Sequence, residues 1–170
     1  MKTTQSDSVG TTVRQIAVIV FVAAFLSLPV WLVGIPQTGD GSTHVGYQYH
    51  FSQQFWHGDF YPRWLADSNK GYGAPIFLVQ YPFPYFVTAL LRPITWFSAT
   101  TTRESHELGL YCLLVLAAAG LAARTWFRSR YSALASTIGA VVYISLPYIV
   151  GQTIYERCSL GELAAFVWMP

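Results

Sequence analysis

The chain alternates between long apolar stretches and short polar ones. No Asp, Glu, Lys or Arg occurs from Gln15 to Gly39, from Gly71 to Leu91, from Leu108 to Ala123 or from Tyr131 to Tyr155. A bilayer core needs about 20 predominantly apolar residues to be crossed by a helix, because backbone groups left unpaired in hydrocarbon are too costly. The pattern predicts crossing helices over about 16–35, 108–127 and 131–150, with a fourth segment over 76–97. The first follows Lys2 and Arg14, as a signal peptide would. Its apolar run is too long for one, and no A-x-A site follows Trp31, so it reads as a retained anchor. The 108–127 helix reaches full length because Arg124 and Arg128 can snorkel. Pro147 falls near one end of the 131–150 helix.

The fourth segment decides topology. Pro75, Pro82, Pro84 and Pro93 interrupt it, so it either crosses from near Tyr81 or is re-entrant. With four crossings and the N-terminus inside, Arg124, Arg128 and Arg130 fall outside, against the positive-inside tendency. If 76–97 does not cross, the same arginines fall inside. The sequence leaves both open.

Composition sharpens the class. Apolar residues make up 53% of the chain and charged residues 11%, with 8 acidic and 10 basic side chains. A soluble domain carries about 25% charge, so this surface must largely meet something other than water. Intrinsic disorder is excluded by the same numbers. A net charge of +2 without a basic run excludes a nucleic-acid partner. The expected fold is all-α: a multi-pass transmembrane helical bundle in the cell (cytoplasmic) membrane, with the lipid bilayer as partner. Residues 1–14 read as a polar tail, mobile over Lys2–Thr12, and 15–170 as the N-terminal part of a membrane domain. The closing LAAFVWMP opens another apolar segment, so the chain is expected to be truncated. Cys112 lies in a crossing segment and Cys158 just beyond one, which implies no disulfide framework.

The first long loop, 37–75, is too polar to cross and unusually aromatic. Tyr47, Phe51 and Phe55 recur at helical spacing, with Ser42 as N-cap and Gly58 as C′ stop. A second short helix is expected from Pro62 to before Gly71. Both would be juxtamembrane helices in the interface, where Trp and Tyr reside.

Two groups of polar residues are candidates for chemistry. Asp40 lies between Gly39 and Gly41 where the chain leaves the first helix, and is either a carboxylate facing a cavity or a turn and capping residue. His44, four residues on, either reaches the same substrate or metal ion or is an interfacial or core histidine. Arg157 and Glu162 follow the last predicted crossing, as functional groups at membrane depth or as an ordinary charged connection. His44, His50 and His57 are spaced too far apart for helical ligand pairs, and no cysteine lies near them, so no zinc is expected. Phosphate-loop, nucleophile-elbow and dinucleotide fingerprints are all absent.

The runs Gly58-Asp59-Phe60-Tyr61-Pro62-Arg63-Trp64-Leu65-Ala66-Asp67, Gly71-Tyr72-Gly73-Ala74-Pro75-Ile76-Phe77 and Tyr81-Pro82-Phe83-Pro84-Tyr85, with the closing Tyr155 to Phe166, resemble a prokaryotic family. These are the multi-pass membrane proteins named for a 6-pyruvoyl-tetrahydropterin synthase-related domain. Val79-Gln80 departs from the block, where an aromatic pair is common. The resemblance implies a layout like that of GT-C glycosyltransferases: an early loop carboxylate acting while a sugar leaves a polyprenyl-phosphate donor at the outer face of the membrane. Carried over, Asp40 is the catalytic carboxylate, as base or as ligand of a divalent cation, with His44 beside it. Arg63, Trp64 and Tyr72, from the YPRW and GYG-P blocks, are substrate-binding, as are Arg157, for the lipid phosphate, and Glu162. The histidine spacing gives no basis for pterin chemistry. The residues alone equally allow a non-enzymatic membrane scaffold or lipid-handling protein.

Overall fold

The computed structural model describes residues 9–36, 39–98 and 100–169. These residues are helical, with no strand among them; one isolated bridge joins Leu65 to Ala74. Helix α1 spans Val9–Val33, α2 Gly41–Trp56, α3 Ile76–Val79, α4 Phe83–Leu91, α5 Thr100–Arg128, α6 Ala133–Ile144 and α7 Leu160–Ala165, and a π-helical segment covers Tyr148–Glu156.

Three helices are long and apolar enough to cross a membrane: Val9–Val33, Arg103–Arg128 within α5, and Ala133–Glu156, which joins α6 to the π-helical segment. The first begins earlier than expected. Val9 to Arg14 are helical rather than a polar tail, while residues 1–8 lie outside the described residues. It also stops earlier, because Gly34 takes a φ of +93°. The third runs on beyond Val150, with Pro147 in its interior rather than near its end. Proline has no N–H to donate; α6 closes at Ile144, and the chain resumes with wider turns, such as Arg157 N–H donating to Gln152 O at 2.8 Å.

The 76–97 segment forms no crossing helix. It holds only the four residues of α3 and the nine of α4, against the roughly 20 that a crossing requires. The prolines set these limits: Pro75 and Pro82 occupy the N-cap positions of α3 and α4.

The long helices pack side by side, α5 between α1 and α6. Their shared core is built from Ile19, Ala23 and Val30, from Cys112, Leu116, Ala119 and Ala123, and from Ala140 and Ile144. Small residues let the backbones approach, which is how helices associate where water supplies no hydrophobic drive. At Gly120 all three meet: an added Cβ would lie 2.6 Å from Ile19 Cγ2 and 3.4 Å from Ile144 Cγ2. Large apolar side chains on the outer faces stay exposed, Phe21, Phe25, Leu32 and Leu134 among them. Such faces need an apolar surrounding.

The loop after α1 differs from expectation in two ways. Helix α2 begins at Gly41 rather than after a Ser42 cap, and ends as expected before Gly58, whose φ is +103°. Its Tyr47–Phe51–Phe55 stripe does lie on one face. That face packs on Phe77, Tyr85 and Phe86 in a second core. No helix starts at Pro62. Leu65 and Ala74 exchange backbone hydrogen bonds of 2.9 and 3.1 Å, and the Gln54 side chain takes up Trp64 O and Ala66 N–H, each at 2.9 Å. Asn69, Lys70 and Gly71 all have positive φ, which a helix cannot continue through.

Gly120→Leu is expected to destabilise the protein by about 1–3 kcal/mol, the usual cost of overpacking a close helix contact. Thermal unfolding of the purified protein in detergent measures it; an unchanged midpoint would mean that the long helices do not pack through Gly120.

Candidate functional site

The site is assembled where the start of α2 meets the end of the π-helical segment. Gly39 makes this possible. Its φ is +52°, and a Cβ there would lie 2.7 Å from Glu156 O and 2.9 Å from Arg157 O. Only a residue without a side chain lets the two chains pass so closely. Asp40 N–H then donates to Arg157 O at 3.3 Å. Asp40 occupies the N-cap position of α2, yet its side chain makes no capping hydrogen bond and the residue is exposed. Its carbonyl accepts from His44 N–H at 2.9 Å. Asp40 thus sits in the turn before α2, as the turn reading expects, without using its side chain as a cap.

Arg157 Nη1 donates to Glu162 Oε2 at 2.9 Å, and the Tyr148 hydroxyl donates to Glu162 Oε1 at 2.5 Å. The Arg157 side chain is still 53% exposed. Asp40, Arg157 and Glu162 thus lie together at one end of the long helices. Two residues before Arg157, Tyr155 with Val150 faces Phe25, Leu28, Pro29 and Leu32 of α1 across an apolar groove of about 240 Å³.

His44 is buried, and its Nδ1 hydrogen-bonds the hydroxyl of the fully buried Tyr85. Burial lowers the imidazole pKa below its ordinary 6.5, against the pull of the Asp40 charge, and burial also pushes the Tyr85 hydroxyl up. Both groups are therefore neutral near pH 7. The Cys158 thiol is raised to about 11, chiefly by burial and then by the charge of Asp40, which leaves it unreactive.

Below His44 runs a ladder of polar contacts that the motif search does not reveal. His44, Gln48 and Ser52 repeat every four residues along α2 and are all buried. Each meets a partner further along the chain: His44 meets Tyr85, Gln48 accepts from the Thr88 hydroxyl, and Ser52 Oγ accepts from Arg92 Nη1 at 2.8 Å. The partners rise in the same order along the chain. At the middle rung, Gln48 Nε2 donates to Glu107 Oε2 at 2.8 Å, and Thr95 Oγ1 donates to Oε1 at 3.3 Å. Glu107, on α5, is fully buried. Two signals were present in the sequence: the polar stripe at helical spacing, and an ionisable residue at the head of a crossing helix.

Arg63, Trp64 and Tyr72 lie elsewhere. Trp64 packs on Gly73, where a Cβ would sit 2.2 Å from its Nε1, and Arg63 stacks over Tyr61 at 5.0 Å. Tyr72 is exposed. This unit packs on the far end of α2 through Gln54 and Phe55, about 15–17 Å of helix from His44 at the usual rise per residue. The two blocks are thus brought together with each other, but no hydrogen bond, ion pair or ring contact joins them to Asp40, Arg157 or Glu162. No three His, Cys, Asp or Glu side chains converge to hold a metal ion among the described residues.

The features above define an all-helical protein with three helices able to cross a membrane and a polar site at one end of them. Comparison with known proteins finds no matching family model, curated protein or solved structure.

The depressed pKa of His44 has a sign that can be checked. The folded state resists protonation, so the contribution of neutral His44 is complete above 6.5 and is lost as pH falls below it. Thermal midpoints are expected to drop on acidification through this range in the wild type and to drop less in His44→Gln. Equal acid sensitivity in both would exclude the histidine as the source.

Proposed function

We propose that the chain belongs to an integral membrane glycosyltransferase of GT-C type, which transfers a sugar from a polyprenyl-phosphate donor to a hydroxyl acceptor at the outer face of the membrane. The observation that carries this reading is the exposed, uncapped carboxylate of Asp40 tied by its own backbone to Arg157. A candidate base and a phosphate-binding guanidinium belong to one site beside an apolar groove suited to an isoprenoid chain.

In the proposed reaction Asp40 takes the proton of the acceptor hydroxyl as its oxygen bonds to the sugar C1. The bond from C1 to the phosphate oxygen breaks, and the electron pair leaves with the lipid phosphate. Arg157 meets the charge on that phosphate, and Glu162 with Tyr148 orients the guanidinium. His44, neutral and fixed by Tyr85, holds the first turn of α2. Arg63, Trp64 and Tyr72 are not given a substrate role in this scheme, since they pack at the other end of α2.

A second reading, a non-enzymatic scaffold or lipid handler, is favoured by the half-exposed Trp56, Tyr61 and Trp64, which can anchor α2 and its loop in an interface.

Membranes carrying the protein are offered radiolabelled polyprenyl-phosphate mannose and glucose, and loss of label from the lipid donor is followed. Asp40→Asn is expected to lower transfer by about 100-fold or more, with membrane insertion unchanged. Arg157→Ala should raise KM for the donor more than it lowers kcat. Transfer retained in Asp40→Asn would remove Asp40 from the chemistry. Tolerance of both changes, with membrane release on replacing the three aromatics together, would favour the scaffold.

A further inference from the structure

The opposite end of the long helices carries a different arrangement. There the start of α1, the end of α5 and the start of α6 converge on Arg124, whose Nη2 donates to Gln15 Oε1 at 2.5 Å and whose Nε donates to Thr137 Oγ1 at 3.4 Å. Between α1 and α6 lies a groove of about 370 Å³ with aliphatic walls, lined by Arg14, Gln15, Val18, Leu134, Ile138 and Val141 among others. Arg14 lines this groove with its carbon stem, is exposed, and forms no ion pair among the described residues.

The charge here is one-sided. Neither residues 9–39 nor residues 108–155 contain an Asp or Glu, so the helices that build the groove offer Arg14 and Arg124 no carboxylate. Trp126 and Tyr131 sit beside the last turn of α5, half-exposed, and Arg130 stacks over Trp126 at 5.9 Å. Aromatic and basic residues together mark the level of lipid headgroups.

An occupant must satisfy both features. A free anion would meet Arg14 and leave the aliphatic walls bare. An apolar helix would cover the walls and leave the guanidinium without a counter-charge. A molecule with an aliphatic chain and an anionic phosphate matches both. We propose that this groove is a binding site for an anionic phospholipid, one acyl chain lying along Val18, Ile138 and Val141 and the phosphate resting on Arg14. Arg124 is the positioning residue, since its bonds to Gln15 and Thr137 hold the two walls apart at a fixed width. The site is independent of Asp40 and of any transferase activity.

The full chain is reconstituted in nanodiscs of phosphatidylcholine containing a minority of phosphatidylglycerol, and the lipids that stay bound on release are identified by native mass spectrometry. Phosphatidylglycerol should be enriched over phosphatidylcholine. Arg14→Gln is expected to reduce that enrichment by about fivefold, the effect of one basic residue near an anionic surface, and Arg14→Lys to retain most of it. Because Arg14 is exposed, these variants test the site without disturbing the core. A photo-crosslinker at Ile138 should capture an acyl chain. Equal retention of the two lipids, an Arg14→Gln variant that behaves as wild type, or capture of a polypeptide at Ile138 would each overturn the proposal.

Discussion

A carboxylate at the head of a long apolar helix cannot be left unsatisfied, and the segment between α1 and α5 is organised around that constraint. Glu107 is fully buried and receives hydrogen bonds from Gln48 and Thr95. Leaving a buried acceptor of this kind without its donor costs about 1–3 kcal/mol. To supply the donors, α2 must lie with its polar stripe against α5, and α4 must lie alongside to occupy the other side of Gln48 through Thr88. The two outer rungs, His44 with Tyr85 and Ser52 with Arg92, follow from the same register. The position of Asp40, four residues before His44, is therefore set by contacts made deeper in the structure.

The same constraint explains how the chain divides its length. Helix α2 has 16 residues and α4 has 9, and both carry buried polar side chains that need partners rather than lipid. Helices α1, α5 and α6 bury a core of small and large apolar residues and leave other large apolar ones outside. The result is two polar ends of different character. One joins Arg157 to Glu162 with Asp40 beside it; the other holds Arg14, Arg124, Arg128 and Arg130.

Much of this was legible in the sequence. Charge-free stretches marked the three long helices, and the i, i+4, i+8 aromatic stripe marked α2 and its end at Gly58. The 76–97 segment resisted because hydropathy measures how apolar a stretch is, whereas prolines decide whether it can be one helix. The helix expected from Pro62 failed for another reason: its backbone groups are taken by Gln54 and Ala74, partners that sequence spacing does not display. For the site, the proximity of Asp40 to Arg157 depends on Gly39 passing the π-helical segment, a contact between residues far apart in the chain. Arg63, Trp64 and Tyr72 are separated from Asp40 by most of the length of α2, which spacing in the sequence does not display. The polar stripe of His44, Gln48 and Ser52 was readable, but the aromatic stripe beside it drew the attention.

A proposed transferase site at one end and a proposed lipid site at the other both require that α5 carry the chain from one face of the membrane to the other while α2, α3 and α4 stay on one side. Single cysteines at Asp67 and Ser129, both exposed, test this directly, since the native Cys112 and Cys158 are buried. A membrane-impermeant maleimide applied to intact cells is expected to label Asp67→Cys and to reach Ser129→Cys only after permeabilisation. Labelling of both from the same face would mean that 76–97 crosses as well, and would contradict the arrangement of three crossings with the two ends apart.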